Sequence, residues 1–119
     1  MTINSKVKNT LENKVQLDGN ILPLDFLQYK GKAKSYLTFY SPSESPDFYA
    51  GDELVDSVIT VTITVFSDKN YLDIIDRVKQ LMTEAGFIWK GDSPDMFDDE
   101  TGIYYKALDF EIERSFLNG

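Results

Sequence analysis

The chain has 119 residues, 42% hydrophobic and 27% charged, the profile of one globular domain with its own core and too short for a two-domain enzyme. Twelve Lys and Arg against twenty Asp and Glu give a net charge of −8, a surface that repels phosphate backbones. Cysteine and histidine are both absent, which excludes disulfides, thiolate nucleophiles, Cys/His zinc sites and serine–histidine dyads and leaves carboxylates, Lys, Tyr, Ser and Thr for any chemistry.

The opening Met1-Thr-Ile-Asn-Ser-Lys6 has no apolar core of signal-peptide length, and no later stretch approaches the roughly twenty apolar residues that span a bilayer. A cytosolic protein without a membrane partner is expected. Ile3, Val7 and Leu11 suggest an N-terminal helix, weakened by Asn4, Asn9 and Thr10. A short strand is predicted from Ile21 to Phe26. Pro23 has no amide proton for a central ladder, so this strand belongs at an edge. Lys30-Gly31-Lys32 is read as the turn of a hairpin leading into a strand from Ser35 to Tyr40.

The segment from Ser41 to about Asp56 reads as a long loop. The clearest strand follows, Val58 to Phe66, where Ile59, Val61, Ile63 and Val65 alternate with Thr60, Thr62 and Thr64. The clearest helix carries Tyr71, Ile74, Ile75, Val78, Leu81, Met82 and Ala85 at i, i+3, i+4 spacing, with Asn70 as N-cap and Gly86 at the left-handed C′ position. Asp73 and Arg77 form an i, i+4 pair on its polar face. Strands from Phe87 to Lys90 and from Ile103 to Ile112 complete the set. On the last, Tyr104, Leu108, Phe110 and Ile112 share a parity opposite to Asp109, Glu111 and Glu113. The order α-β-β-β-α-β-β, with strands mostly adjacent in sequence, predicts a single α+β domain over residues 1–119: a mainly antiparallel sheet with helices on one face. The step from Val58–Phe66 through the long helix to Phe87–Lys90 fits a crossover connection.

Two loops concentrate the remaining signal. Ser41-Pro-Ser-Glu-Ser-Pro-Asp-Phe-Tyr-Ala-Gly-Asp-Glu53 holds the acids Glu44, Asp47, Asp52 and Glu53 and the aromatics Phe48 and Tyr49, which either tuck onto the chain's own core or dock on a partner. Gly91-Asp-Ser-Pro-Asp-Met-Phe-Asp-Asp-Glu-Thr-Gly102 brings five carboxylates together, yet from Asp92, Asp95 or Asp98 the spacing fails the calcium-loop pattern. Trp89 reads as a core or interface anchor, since no cations surround it for a base-stacking role. No acid pair is placed in an apolar setting and no glycine-rich phosphate loop occurs, so neither catalytic residues, cofactor nor metal is expected. Charge is split along the chain. Residues 1–34 carry six lysines against three acids, a net +3, and leave −11 for the rest.

In linked order, several segments resemble the small tail terminator, or tail completion, proteins of long-tailed bacteriophages and prophages. They are Leu37-Thr-Phe-Tyr40, the acidic stretch ending Phe48-Tyr-Ala-Gly-Asp-Glu53, the alternating strand Val58 to Phe66, and the helix from Asn70-Tyr71 to Leu81-Met-Thr-Glu-Ala-Gly-Phe87. Asp98-Asp-Glu-Thr-Gly-Ile-Tyr-Tyr-Lys-Ala107 and an aromatic-acidic last strand follow, so the likeness covers about residues 20–114.

The resemblance implies a non-enzymatic structural subunit that forms a ring, usually a hexamer, on the head-proximal end of the tail tube. Such a ring stops tube polymerisation, meets the head–tail connector proteins and passes DNA without specific binding. The protein is then expected in the host cytoplasm during assembly and afterwards in the virion. On that reading Phe48, Tyr49 and Trp89 are candidate interface residues. Glu44, Asp47, Asp52 and Glu53, or Asp95, Asp98, Asp99 and Glu100, are candidates for the lumen or the tube-facing end. Composition alone also suits an acidic monomeric binding module, such as an immunity or inhibitor protein that covers a basic site.

Overall fold

The computed structural model of the chain describes residues 1–50 and 53–117, with the side chains of residues 47–50, 54 and 55 left aside. Helix α1 (Ile3–Leu11) is followed by a small hairpin of β1 (Gln16–Leu17) and β2 (Asn20–Ile21). The main sheet holds β3 (Leu24–Phe26), β4 (Tyr36–Tyr40), β5 (Glu44–Ala50), β6 (Glu53–Ser67), β7 (Ile88–Asp92), β8 (Met96–Asp98) and β9 (Ile103–Glu113). Helix α2 (Leu72–Glu84) lies between β6 and β7, and a 3-10 turn (Arg114–Leu117) follows β9. The strand order is β3-β4-β6-β9-β7, with β5 paired to β6 and β8 to β9. The domain is α+β, and every pairing in it is antiparallel except β3 with β4.

The alternation along β6 does what β-branched residues at period two should do. Ile59, Val61, Ile63 and Val65 are buried, and they join Leu37 and Phe39 of β4 and Leu108, Phe110 and Ile112 of β9 on one face. Val7 and Leu11 of α1 and Ile74, Ile75, Val78 and Met82 of α2 close over that face in a single core. No helix among the described residues covers the opposite face, which bears Thr38, Thr62, Thr64, Asp109 and a set of aromatic rings.

Helix α2 ends as its sequence predicts. Gly86 has φ +99°, its amide donates to the Thr83 carbonyl at 3.1 Å, and the Phe87 amide donates to the Met82 carbonyl at 3.0 Å. This paired closure uses the left-handed residue to satisfy orphan carbonyls. The start is displaced by one residue: Tyr71 is the N-cap, while Asn70 Oδ1 accepts from the Leu72 amide at 3.0 Å. No ion pair joins Asp73 and Arg77 among the described residues. The Arg77 guanidinium turns instead toward the Lys14 carbonyl at 3.4 Å and Gln80 Oε1 at 3.3 Å.

Three expectations about connections are corrected. The predicted strand from Ile21 to Phe26 divides at Leu22 and Pro23 into β2 and β3, and β3 pairs with β4 in parallel, so Lys30-Gly31-Lys32 is not a hairpin turn. The chain reverses earlier, at Leu27 with φ +64°, whose amide donates to the Phe39 carbonyl at 2.9 Å. It then runs back so that Tyr29 stacks on Tyr36 at 4.4 Å. The expected long loop from Ser41 to Asp56 is mostly strand: β5 forms a hairpin with the first part of β6. β6 consequently starts at Glu53, five residues before the apolar alternation begins. Finally, part of the acidic loop after β7 is the short strand β8. The edge position predicted from Pro23 holds, since β3 ends the strand order.

β6 and β7 run in the same direction because each is antiparallel to β9, which lies between them. The β6-α2-β7 connection therefore steps over one strand. Ile63 sits at the centre of this assembly and is fully buried. Ile63→Ala is expected to lower unfolding stability by about 2–5 kcal/mol, through lost apolar burial and the cavity left behind. Urea denaturation monitored by circular dichroism measures it.

Candidate assembly surfaces

The described members of the two acidic groups singled out in the sequence lie toward opposite ends of β6. The chain is elongated, 53 × 25 × 23 Å, and a fifteen-residue strand accounts for most of that length. At one end β5 and the first residues of β6 extend past Val58, the last β6 position paired to β9, as a two-stranded arm. At the other end the β8–β9 turn carries Asp98, Asp99 and Glu100.

The base of the arm is pinned by the chain's C-terminal region. Arg114 donates from Nε to Glu44 Oε2 and from Nη2 to Glu44 Oε1, both at 2.6 Å, and the Ser57 hydroxyl also donates to Glu44 Oε2. Beside it, Ser115 donates its hydroxyl to Asp56 Oδ2 at 2.8 Å and its amide to Oδ1 at 3.2 Å. The Arg114 hydrogen bonds, with help from Ser57, hold the Glu44 carboxyl at about 2, against an ordinary value of 4.5. Glu44 is thus an anchor whose charge is matched by a guanidinium. Of its companions, Glu53 is exposed at the start of β6. Asp52 and the side chain of Asp47 lie outside the described residues. For Phe48 and Tyr49 the backbone alone is described, in β5 opposite Asp56 and Leu54; their side chains lie outside the description.

Trp89 is on β7, half exposed, on the helix-covered side of the sheet beside the free edge. Its indole Nε1 donates to Asp92 Oδ1 at 2.8 Å. Lys79 of α2 reaches over the ring, 4.4 Å from its centroid, and pairs with Asp92 Oδ2 at 2.8 Å. A cation does sit beside this tryptophan, supplied from a different element. The three groups tie α2 to β7 while leaving one side of the indole open.

In the second acidic group the residues separate by role. Asp95 accepts a hydrogen bond from the Tyr71 hydroxyl and lies 3.4 Å from Lys106; the Tyr71 bond is the main reason its carboxyl titrates below the ordinary range. Burial, reinforced by Asp95, raises the Tyr71 phenol well above its usual range. Asp98 closes the turn, its Oδ1 accepting from the Glu100 amide at 3.0 Å and its carbonyl from the Gly102 amide at 2.8 Å. Asp99 and Glu100 form no ion pair among the described residues. The turn borders a recess of about 500 Å³ floored by Tyr36, Phe66 and Tyr105. Among the described residues, no three acidic side chains converge in a way that would hold a metal ion. No helix there is long and apolar enough to cross a membrane.

That floor is part of an aromatic row with no counterpart among the sequence expectations. Tyr29 stacks on Tyr36 at 4.4 Å, Tyr36 on Phe66 at 4.6 Å, and Phe66 on Tyr105 at 5.6 Å, straight across the uncovered face. The one signal in the sequence is parity: Phe66 shares the face of Thr60, Thr62 and Thr64, where a hydroxyl-bearing strand has no reason to place a phenyl ring unless something stacks on it. Burial, then Tyr29, then Asp98 raise the Tyr36 phenol.

The basic N-terminal third also divides. Lys6 and Lys8 belong to α1 on the helix side, whereas Lys30, Lys32 and Lys34 lie in the β3–β4 loop, exposed and without an ion pair among the described residues. Compared with models of known protein families and with curated proteins, the sequence matches none of them.

The Glu44 carboxyl titrates lower in the folded chain than in the unfolded one, so its pairing stabilises the fold fully above pH 4.5. That stabilisation is lost as pH falls from 4.5 toward about 2. Carboxyl NMR titration is expected to place Glu44 near 2 in the native chain and to move it up toward 4.5 in Arg114→Ala. A Glu44 titration near 4.5 in the native chain contradicts the pinned arm.

Proposed function

We propose that this chain is a ring-forming tail terminator, or tail completion, subunit of a long-tailed phage or prophage, a structural protein rather than an enzyme. The observation that carries the reading is that the sheet has two free edges of unlike character. Each bears exposed apolar side chains: Phe26 and Leu27 at the β3 edge, Ile88, Trp89 and Phe97 at the β7–β8 edge. Exposed apolar groups on edge strands favour pairing, and two different edges pair head to tail. Head-to-tail contacts generate a closed ring when the rotation closes.

The dimensions suit six copies. With long axes parallel to the ring axis, six widths of 23–25 Å give a mid-wall diameter of about 45 Å and a hole on the order of 20 Å, comparable with a DNA duplex. An excess of carboxylates along such a hole disfavours adhesion of the genome. On this reading the ring forms in the host cytoplasm and ends in the virion, between the tail tube and the head–tail connector. The arm and the β8–β9 turn, at opposite ends of the long axis, then face different neighbours.

Light scattering coupled to size-exclusion chromatography, alone and with purified tail tubes, is expected to show an assembly of about 82 kDa, six times 13.6 kDa, or rings seated on tube ends. A chain that stays monomeric at every concentration and leaves tube ends bare sinks the proposal and favours the acidic inhibitor-type module.

A further inference from the structure

Two charged patches lie at the same end of the sheet, on opposite sides. On one side is the Lys30-Gly31-Lys32-Ala33-Lys34 loop: three of the chain's twelve cations in five residues. Its end is held beside the end of β6 by the 2.8 Å contact between Ser35 Oγ and Ser67 Oγ. On the other side is the Asp98-Asp99-Glu100 turn. Register places it there too, because Ser67 pairs with Tyr104 of β9 and Asp98 with Ile103, one step further. Between them runs the aromatic row, roughly 15 Å from Tyr29 to Tyr105 at the spacing of neighbouring strands.

Within one chain the patches stay apart, and neither the three lysines nor Asp99 and Glu100 form an ion pair among the described residues. A chain of net charge −8 repels its own copies everywhere except where cations gather. The acidic turn adjoins an exposed aromatic on a three-residue edge strand, Phe97 of β8, which pairs with Tyr104. Unlike patches on opposite edges at one level describe a contact made by rotating a copy about an axis along the strands.

We propose that the Lys30–Lys34 loop of one copy docks against the Asp98–Glu100 turn of the next, with the exposed Phe97 covered beside the ion pairs. The contact rests on the ring reading and specifies which surfaces build it. It is heterologous, so Lys32 of one copy approaches Asp99 of another and never a second Lys32. It also weakens with salt, because solvent-exposed charges are screened over about 10 Å at 0.1 M ionic strength.

The absence of cysteine makes the test clean. The double variant Lys32→Cys with Asp99→Cys, oxidised in low salt, is expected to give a ladder of disulfide-linked oligomers, and each single variant none. A charge-reversed loop (Lys30→Glu, Lys32→Glu, Lys34→Glu) or a charge-reversed turn (Asp98→Lys, Asp99→Lys, Glu100→Lys) is expected to weaken association at least tenfold, with the circular dichroism spectrum unchanged. Mixing the two reversed proteins restores assembly as an alternating ring, a rescue that a general loss of folding does not produce. Oligomers of the native chain that survive both reversals, or efficient dimers from Lys32→Cys alone, overturn this contact and leave the ring standing. A native chain monomeric at all concentrations, with no ladder from the double variant, overturns both.

Discussion

The ladder between β6 and β9 is the constraint on which the other elements depend. Ten consecutive residue pairs, from Val58 with Glu113 to Ser67 with Tyr104, join segments far apart in the chain. β4 and β5 attach to β6, β7 and β8 attach to β9, and β3 attaches through β4. The ladder's own side-chain pairs contribute about 0.2–1 kcal/mol each, whereas each apolar side chain it buries contributes roughly 1.5–3 kcal/mol. Register matters for that reason. A slip by one residue turns Ile59, Val61, Ile63 and Val65 away from α1 and α2 and presents threonines to the core.

The parts of the fold that were legible in the sequence are those where one chemical rule acts alone. Alternation located the paired length of β6, helical spacing and Gly86 located α2 and its end, and Pro23 put its strand at an edge. The parts that were not legible depend on a partner distant in sequence. Nothing in Glu53-Leu-Val-Asp-Ser57 announces a strand; β5 makes it one. Nothing near Lys30 announces a parallel pairing; the reversal occurs at Leu27, a residue whose left-handed conformation composition does not favour. The helix-face pattern of β9 holds for Leu108, Phe110 and Ile112, but Tyr104 on the same parity is exposed because it lies where α2 begins and the core ends.

The candidate surface was legible in outline and not in grouping. Acids counted together by proximity in sequence divide by hydrogen bonding: Glu44 is matched by Arg114, Asp95 by Tyr71 and Lys106, and Asp98 is spent on its turn. Asp99 and Glu100, like the exposed Glu53, have no ion pair among the described residues. The N-terminal lysines also separate, with Lys6 and Lys8 on α1 on the covered side and Lys30, Lys32 and Lys34 in the β3–β4 loop at the edge. Net charge is therefore a poor guide to this molecule, and the residual charge left after internal pairing is a better one.

The position of β9 has a consequence for how the protein is made. It is synthesised after every strand it pairs with, yet it occupies the middle of the sheet, between β6 and β7. Until residues 103–113 have emerged, β7 and β8 lack the strand they pair with, and β6 has one side of its backbone unsatisfied. Closing a ladder between residues as distant as Val58 and Glu113 is slow compared with local pairing. During translation the apolar, β-branched stretch from Val58 to Phe66 waits with an open edge, so the nascent domain is at its most aggregation-prone just before residues 103–113 emerge.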